Sequence, residues 1–207
     1  MTSSHFAHYA RYLIVGYFLV ITNISAIAHA TEAKAIGFID QISQEAIQII
    51  QAKNDAEDLK VRRLNRLFDR AVDTDWIAKF VMGRHWNQLT DTQKTSYTEV
   101  FQKYLANQYV PKFQEYNNQK YKIHKATSEQ KGEYTVMTTI YLDGKTPISV
   151  NYKLHMNHKK QLQIFDVVAE GISLVNTQRS EFGSVLSRKG PEFLITALTQ
   201  KTQIAAY

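Results

Sequence analysis

The sequence predicts an α+β domain, with helices gathered on one face of a curved antiparallel sheet of three or four strands. Three observations carry this. Apolar residues recur every three or four positions from Ile36 to Leu105, the period changes to two from Tyr121 onward, and at Gly171 the last apolar strand turns directly into another amphipathic segment. Helices followed by consecutive short strands, then by helices again, favour hairpin-linked antiparallel pairing over a parallel βαβ sheet.

The elements follow in order. Ile36, Ile39, Ile42, Ala46, Ile49 and Ile50 form one stripe, so a helix runs from about Lys34 to Ala52 and ends at Asn54-Asp55. A second helix buries Leu59, Leu64, Leu67, Phe68 and Val72 and turns Lys60, Arg63 and Arg70 to water. A third, short helix from about Thr74 to Met82 points Ile77, Phe80 and Val81 inward, and Gly83 suits the positive-φ position that stops it. Thr90 and Gln93 make a capping box, each side chain satisfying a backbone N–H that the helix leaves unpaired. The helix behind it shows a largely aromatic face of Tyr97, Val100, Phe101, Tyr104, Leu105 and Gln108. Tyrosine hydroxyls on such a face seek a polar partner or the mouth of a cavity.

Tyr134, Val136, Thr138, Ile140 and Leu142 alternate with Met137, Thr139 and Tyr141, a strand with two largely apolar faces, and Asp143-Gly144 is a turn signal. Ile148, Val150, Tyr152, Leu154 and Met156 alternate with Ser149, Asn151, Lys153 and His155, as a half-buried antiparallel strand does. Asn157-His158-Lys159-Lys160 turns the chain into a last strand, Leu162 to Ala169.

Residues 1–30 hold Arg11 as their only Lys, Arg, Asp or Glu, then an apolar run from Tyr12 to Ile21, then small residues ending Ala28-His-Ala30. This is the order of a secretory signal peptide, with cleavage expected after Ala30 and a single domain over residues 31–207. The apolar run is shorter than the ~20 residues that span a bilayer. Cysteine is absent, which excludes disulfides, thiolate metal sites and cysteine nucleophiles. The net charge of +6 suits an anionic partner, a phospholipid surface or nucleic acid alike. The expected export argues against nucleic acid.

Catalytic patterns are weak. Gly171-Ile-Ser173-Leu-Val175 resembles the start of a nucleophile elbow, but that turn needs a second glycine where Val175 stands; Ser173 suits a helix N-cap instead. His155 and His158 lack a third metal ligand. Asp166 and Glu170 could pair as acid and base, although pairing with Arg179 or a backbone N–H accounts for them more simply.

Four blocks in fixed order carry a family resemblance. They are Asp75-Trp-Ile-Ala-Lys-Phe-Val-Met-Gly83-Arg-His-Trp86; Thr90-Asp-Thr-Gln93 leading to Phe101, Tyr104, Leu105 and Tyr109; Asp166-Val-Val-Ala-Glu-Gly-Ile-Ser-Leu-Val175 with Asn-Thr-Gln-Arg179-Ser-Glu-Phe182; and Lys189-Gly190 before a last helix. Together they resemble the MlaC-like, or toluene-tolerance, family of periplasmic phospholipid-binding transport proteins. One departure is Leu162, where the family often has Trp. The resemblance implies helices packed on a strongly twisted antiparallel sheet of about four strands, a cystatin-like or nuclear-transport-factor-like arrangement. It also implies a monomeric, non-enzymatic carrier without cofactor whose cargo is phospholipid. Its partners would be an inner-membrane ABC transporter complex with a membrane-anchored lipid-binding subunit, and an outer-membrane lipoprotein-porin complex.

Alternation and the matching blocks place Phe101, Tyr104, Tyr109, Val136, Ile140, Ile148, Val150, Tyr152, Phe165, Val167, Ile172 and Val175 around an apolar pocket. Two alternatives stay open. Thr177 to Phe182 is close to a hopanoid-associated branch of the family, which implies a polycyclic lipid cargo. A cystatin-like-fold enzyme of isomerase or dehydratase type would need an isolated carboxylate or His in the cavity, for which Asp73, Asp75 and His85 are the candidates, each better suited to capping or flanking the third helix.

Overall fold

A computed structural model describes residues 31–114, 120–129, 132–142 and 144–204; the expected leader and its cleavage point lie outside these, as does Asp143 of the expected turn. Helix α1 covers residues 31–51, and α2 (Glu57–Ala71) and α3 (Thr74–Met82) follow. A 3-10 segment, Gly83–Gln88, leads to α4 (Asp91–Gln114). The sheet is β1 (Lys120–Ser128), β2 (Glu133–Tyr141), β3 (Ile148–Met156), β4 (Leu162–Ala169) and the two-residue β5 (Ile172–Ser173). Helix α5 (Leu174–Ile204) breaks at Gly190, whose φ of 79° and ψ of 172° are not helical, and Pro191 restarts it. Pro is well placed there because the first N–H of a helix has no partner to lose.

Caps set the boundaries. Trp76 N–H donates to Asp73 Oδ1 at 3.0 Å, which starts α3, and Gly83 at φ 57° ends it. The capping box closes in both directions: Gln93 N–H to Thr90 Oγ1 at 3.2 Å, and Thr90 N–H to Gln93 Oε1 at 2.9 Å.

The five strands lie in sequence order, every neighbouring pair antiparallel. β5 is one more than expected. Glu170 (φ 49°) and Gly171 (φ 80°) form a two-residue turn with both central φ positive, the backbone that reverses a strand onto itself, and two residues are too few to show a period. The register shifts between Ile123 and Lys125 in β1, and between Lys153 and Leu154 opposite β4. In the second shift Lys153 pairs with Asp166 and Leu154 with Ile164, so Phe165 is the extra residue of a bulge. Bulges of this kind increase local twist.

Buried apolar side chains among the described residues form two clusters. One joins the helices through residues such as Phe68, Val81, Phe101, Leu105, Phe182 and Leu198. The other joins α1 to the sheet through Ala35, Ile39, Ala126, Tyr134, Val136, Leu154 and Ile164. The partly buried Ile42 and Val72 touch both clusters. No helix among the described residues is long and apolar enough to cross a membrane.

Tyr97 is fully buried between Trp86 and Phe101, and its hydroxyl has no hydrogen-bond partner among the described residues. A buried unpaired hydroxyl costs about 1–3 kcal/mol, so Tyr97→Phe should leave stability unchanged or raise it by up to about 1 kcal/mol. Urea denaturation checks this; a clear loss of stability would mean that the hydroxyl is bonded in solution.

Candidate functional site

Reading the register across the sheet assembles one face in rows. At one end stand Ser128, Tyr134, Leu154 and Ile164. Next come Ala126, Val136, Tyr152 and Val167, then Ile123, Thr138, Val150, Ala169 and Ile172, and at the far end Tyr121, Ile140 and Ile148. Tyr134, Leu154 and Ile164 are buried, whereas Tyr152, Val167, Ala169, Ile123, Tyr121, Ile140 and Ile148 are only half-buried and Ile172 is 62% exposed. Ala126, Val136, Thr138 and Val150 are buried as well and Ser128 is exposed, so the face is closed along its β2–β3 centre and accessible at its margins, most of all at Ile172.

α1 lies along β1 from one end of the face to the other. Glu32 Oε1 accepts the Ser128 N–H at 3.1 Å, Ala35 and Ile39 pack on Val136 and Leu154, and Asp40 Oδ1 accepts from the Tyr121 hydroxyl at 2.8 Å. None of the residues in these rows carries a charge. Thr138 gives its hydroxyl to Val150 O at 2.6 Å. Burial pushes the Tyr152 hydroxyl above its ordinary pKa, yet the side chain keeps accessible surface and its hydroxyl has no partner among the described residues.

Six of the twelve expected pocket residues, Val136, Ile140, Ile148, Val150, Tyr152 and Val167, thus share this face. Ile172 is at its rim. Phe165 is not on it. Simple alternation would set Phe165 beside Val167, but the bulge turns it to the opposite side, stacked on His155 at 4.9 Å and edge-on to Trp76 at 5.0 Å. Phe101, Tyr104 and Val175 belong to the helical cluster, and Tyr109 packs against it. Tyr104 accepts from Gln108 Nε2 at 3.0 Å and meets the buried Gln178 at 3.4 Å. Burial raises the pKa of Tyr109, and the neighbouring Tyr104, Glu181 and Asp166 push it the same way.

Groups weighed for chemistry are engaged in structure. Asp166, 6% exposed, accepts the Ser173 hydroxyl at 2.7 Å and the Val175 N–H at 3.2 Å, while Ser173 Oγ accepts the Asn176 N–H at 3.1 Å. Ser173 is therefore the helix cap, and Asp166 pairs with a backbone N–H. Glu170 accepts the Ser149 N–H. Arg179 is elsewhere: it donates to Phe80 O at 2.9 Å and lies 4.5 Å over the Phe80 ring. Asp73 caps α3 and pairs with His155 Nε2 at 2.7 Å. That pair borders an open groove of about 740 Å³ with Trp76, Trp86, Gln102 and His158, on the opposite side of β3 from Leu154. Among the described residues no group of three or more His, Asp or Glu could hold a metal. Sequence reasoning missed the Asp73–His155 pair, because nothing in either segment points to a partner 82 positions away.

Comparisons with known proteins agree with this architecture. The model of the MlaC protein family matches residues 40–200. The intermembrane phospholipid transport system binding protein MlaC of Haemophilus influenzae is 21% identical over 134 residues, and the match spans 62% of this chain and 62% of that protein, less than two thirds of its length. A phospholipid-binding protein from Ralstonia solanacearum, solved in complex with a phospholipid, is similar in fold with a TM-score of 0.70 at 20% identity, covering 83% of this chain and 98% of that one.

Desolvation pushes the Asp73 carboxyl up, but the His155 hydrogen bond, the Trp76 N–H and the nearby imidazoles outweigh it and hold its pKa below the usual value. A carboxyl depressed in the folded state contributes stability above its unfolded pKa, near 4, and loses it as pH falls through the folded value. Asp73→Asn keeps a competent cap and removes the charge. It should cost about 1–2 kcal/mol at pH 5, with the difference from wild type narrowing as pH falls below about 4. Chemical denaturation across that range checks it, and a pH-independent difference would mean that the charge contributes nothing.

Proposed function

The chain belongs to the MlaC family, and on that premise we propose that it is a periplasmic lipid carrier that shuttles phospholipid by holding its acyl chains against the open, uncharged face of the sheet. The carrying observation is the make-up of the register rows: an apolar face, free of ionisable groups other than tyrosine, closed along its β2–β3 centre and left accessible at its margins, most of all at Ile172. Hydrocarbon is the cargo such a face suits. Each CH₂ removed from water contributes about 0.8 kcal/mol, so a two-chain lipid with on the order of thirty of them cannot escape into water at a useful rate. A carrier must therefore cover the chains throughout transit.

Val136, Ile140, Ile148, Val150, Tyr152 and Val167 are the proposed lining, with Ile172 at the mouth. Phe101, Tyr104, Tyr109 and Val175, which belong to the helical cluster or pack against it, are proposed to border that lining from the helical side. The Tyr152 hydroxyl is the one polar group proposed to meet an ester or glycerol oxygen. The proposed stations are an inner-membrane ABC transporter complex, with its membrane-anchored lipid-binding subunit, and an outer-membrane lipoprotein-porin complex. They follow from the family and from the phospholipid transport system named for the H. influenzae relative. The proposed role needs no chemistry, and the proposed shuttle acts as a monomer after cleavage of residues 1–30.

Val150→Glu and Val167→Glu should abolish co-purified lipid in folded protein, measured by native mass spectrometry with lipid extraction. Phe165→Leu, on the far side of the bulge, should retain it. Phospholipid still present in both glutamate variants, with circular dichroism unchanged, would remove the site from this face; a polycyclic lipid in the wild type would favour the hopanoid branch.

A further inference from the structure

We propose that the groove beside the Asp73–His155 pair is a docking site for a protein partner, and that its occupant is an amphipathic helix carrying Lys or Arg one turn from Asp or Glu. The groove is on the other side of β3 from the proposed lipid-holding face, so this inference goes beyond the carrier reading and is tested independently of it.

The groove follows α3 and α4 and reaches the β3–β4 turn. A short connection, 83–90, joins the end of α3 to the start of α4, so Lys79 stands toward Lys94. The Gln102–Asp69 hydrogen bond at 2.8 Å brings the middle of α4 to the segment just before Asp73. The charges therefore sort by end. Asp73, Asp75 and Glu99 line one end, with His155 and His158 of the hairpin, and Lys79 and Lys94 line the other. Opposite charges on the same helix are separated by about 6–8 Å of axial rise. Asp73 is committed to His155, so Asp75 and Glu99 are the carboxylates left to meet a cation. Lys103, Lys159 and Lys160, with Asp69 and Glu133, flank that end without lining it. Lys94 is shared with the exposed Asp91 at 3.1 Å, which leaves Lys79 to meet an anion, with Arg84 beside it.

Asp75 and Lys79 are four apart on α3, the spacing at which opposite charges on a helix meet. Neither is in an ion pair among the described residues, and Glu99 is likewise unpaired. The apolar lining is Trp76 and Trp86, the two tryptophans of the chain, and Met156 at 48% exposure. Tryptophan and methionine are enriched at the centres of protein interfaces, while charges at the rim fix orientation. The wall is held in place: Trp76 stacks on Phe80 and meets Phe165 and His155 edge-on, and Asp73 holds His155 at 2.7 Å. Docking against groups already fixed costs little ordering. A helix suits a trough between two helices, and β3, paired on both sides, offers no free edge for an added strand. A solvated charged face would account for Asp75, Lys79 and Glu99 alone. It does not account for Met156 standing exposed beside both indoles.

The test is selection from a displayed library of helical peptides on the purified protein, counter-selected on the variant D75K/E99K. Enriched peptides are then titrated by tryptophan fluorescence, which reports on this groove because both indoles line it. Peptides with Lys or Arg four residues from Asp or Glu should be enriched, and each should change the emission. D75K/E99K and K79E should each bind them on the order of tenfold more weakly. Exchanging the basic residue of the peptide for Glu should weaken its binding to wild type and restore its binding to D75K/E99K. Asp75, Lys79 and Glu99 are exposed, so thermal unfolding of both variants should match wild type. The peptide exchange gives the same answer on wild type without altering the protein. No peptide enriched over the counter-selected variant, enriched peptides that leave the emission unchanged, or binding indifferent to the charges of groove and peptide would overturn the docking site.

Discussion

A single buried carboxylate governs how the sheet hands over to the last helix. Asp166 takes the Ser173 hydroxyl on one oxygen and the Val175 N–H on the other, so it fixes β5 and the first turn of α5 together. Burying a carboxylate is costly, and charge-assisted bonds of this kind offset that cost. The direction of α5 set at this corner brings Phe182 onto Phe101 and Tyr104 of α4, and Arg179 onto Phe80 of α3. A Cβ at position 83 would approach Arg179 Nη2 to 3.2 Å, so Gly83 meets two demands at once, a positive φ and a close cation. Two blocks nearly a hundred residues apart, Asp75 to Trp86 and Asp166 to Phe182, are thus halves of one contact.

The same corner bears on why the interior stays divided. Once α5 is committed to α3 and α4, the helices make a cluster of their own, while the sheet packs on α1 along β1 and meets α2, α3 and α5 through β4. Ile42 and Val72 join the two clusters. A continuous core would gain about 25 cal/mol for every further square ångström of apolar surface buried. Forgoing that gain is the trade of stability that the proposed carrier role requires.

Features set by local chemistry were legible in the sequence. The capping box, the Asp73 and Ser173 caps, the Gly190 break and the limits of β3 and β4 depend on neighbouring residues, and each stands where its residues indicate. Features set by long-range register were not. Ile164-Phe165-Asp166 reads as a regular strand, and only the partner strand reveals that Phe165 is the extra residue. Arg179 resembles a mate for Asp166 because both belong to one block; the helix instead carries it to Phe80, and a backbone N–H takes its place. The twelve residues expected around one pocket include four from helices that pack mainly among themselves, since periodicity tells which side of a helix is buried but not against what.

The distribution of polar groups separates holding from transforming a ligand. An isomerase or dehydratase needs an acid or base facing its substrate. The inward rows contain no Asp, Glu, Lys or His, Thr138 is spent on Val150 O, and Tyr152 retains a hydroxyl whose pKa burial drives further from neutrality. The ionisable groups weighed for chemistry near the sheet are each committed to structure, with Asp73 and His155 in the α3 cap, Asp166 in the corner and Glu170 at Ser149. Among the described residues, the face itself offers apolar surface and hydroxyls, and no carboxylate, amine or imidazole.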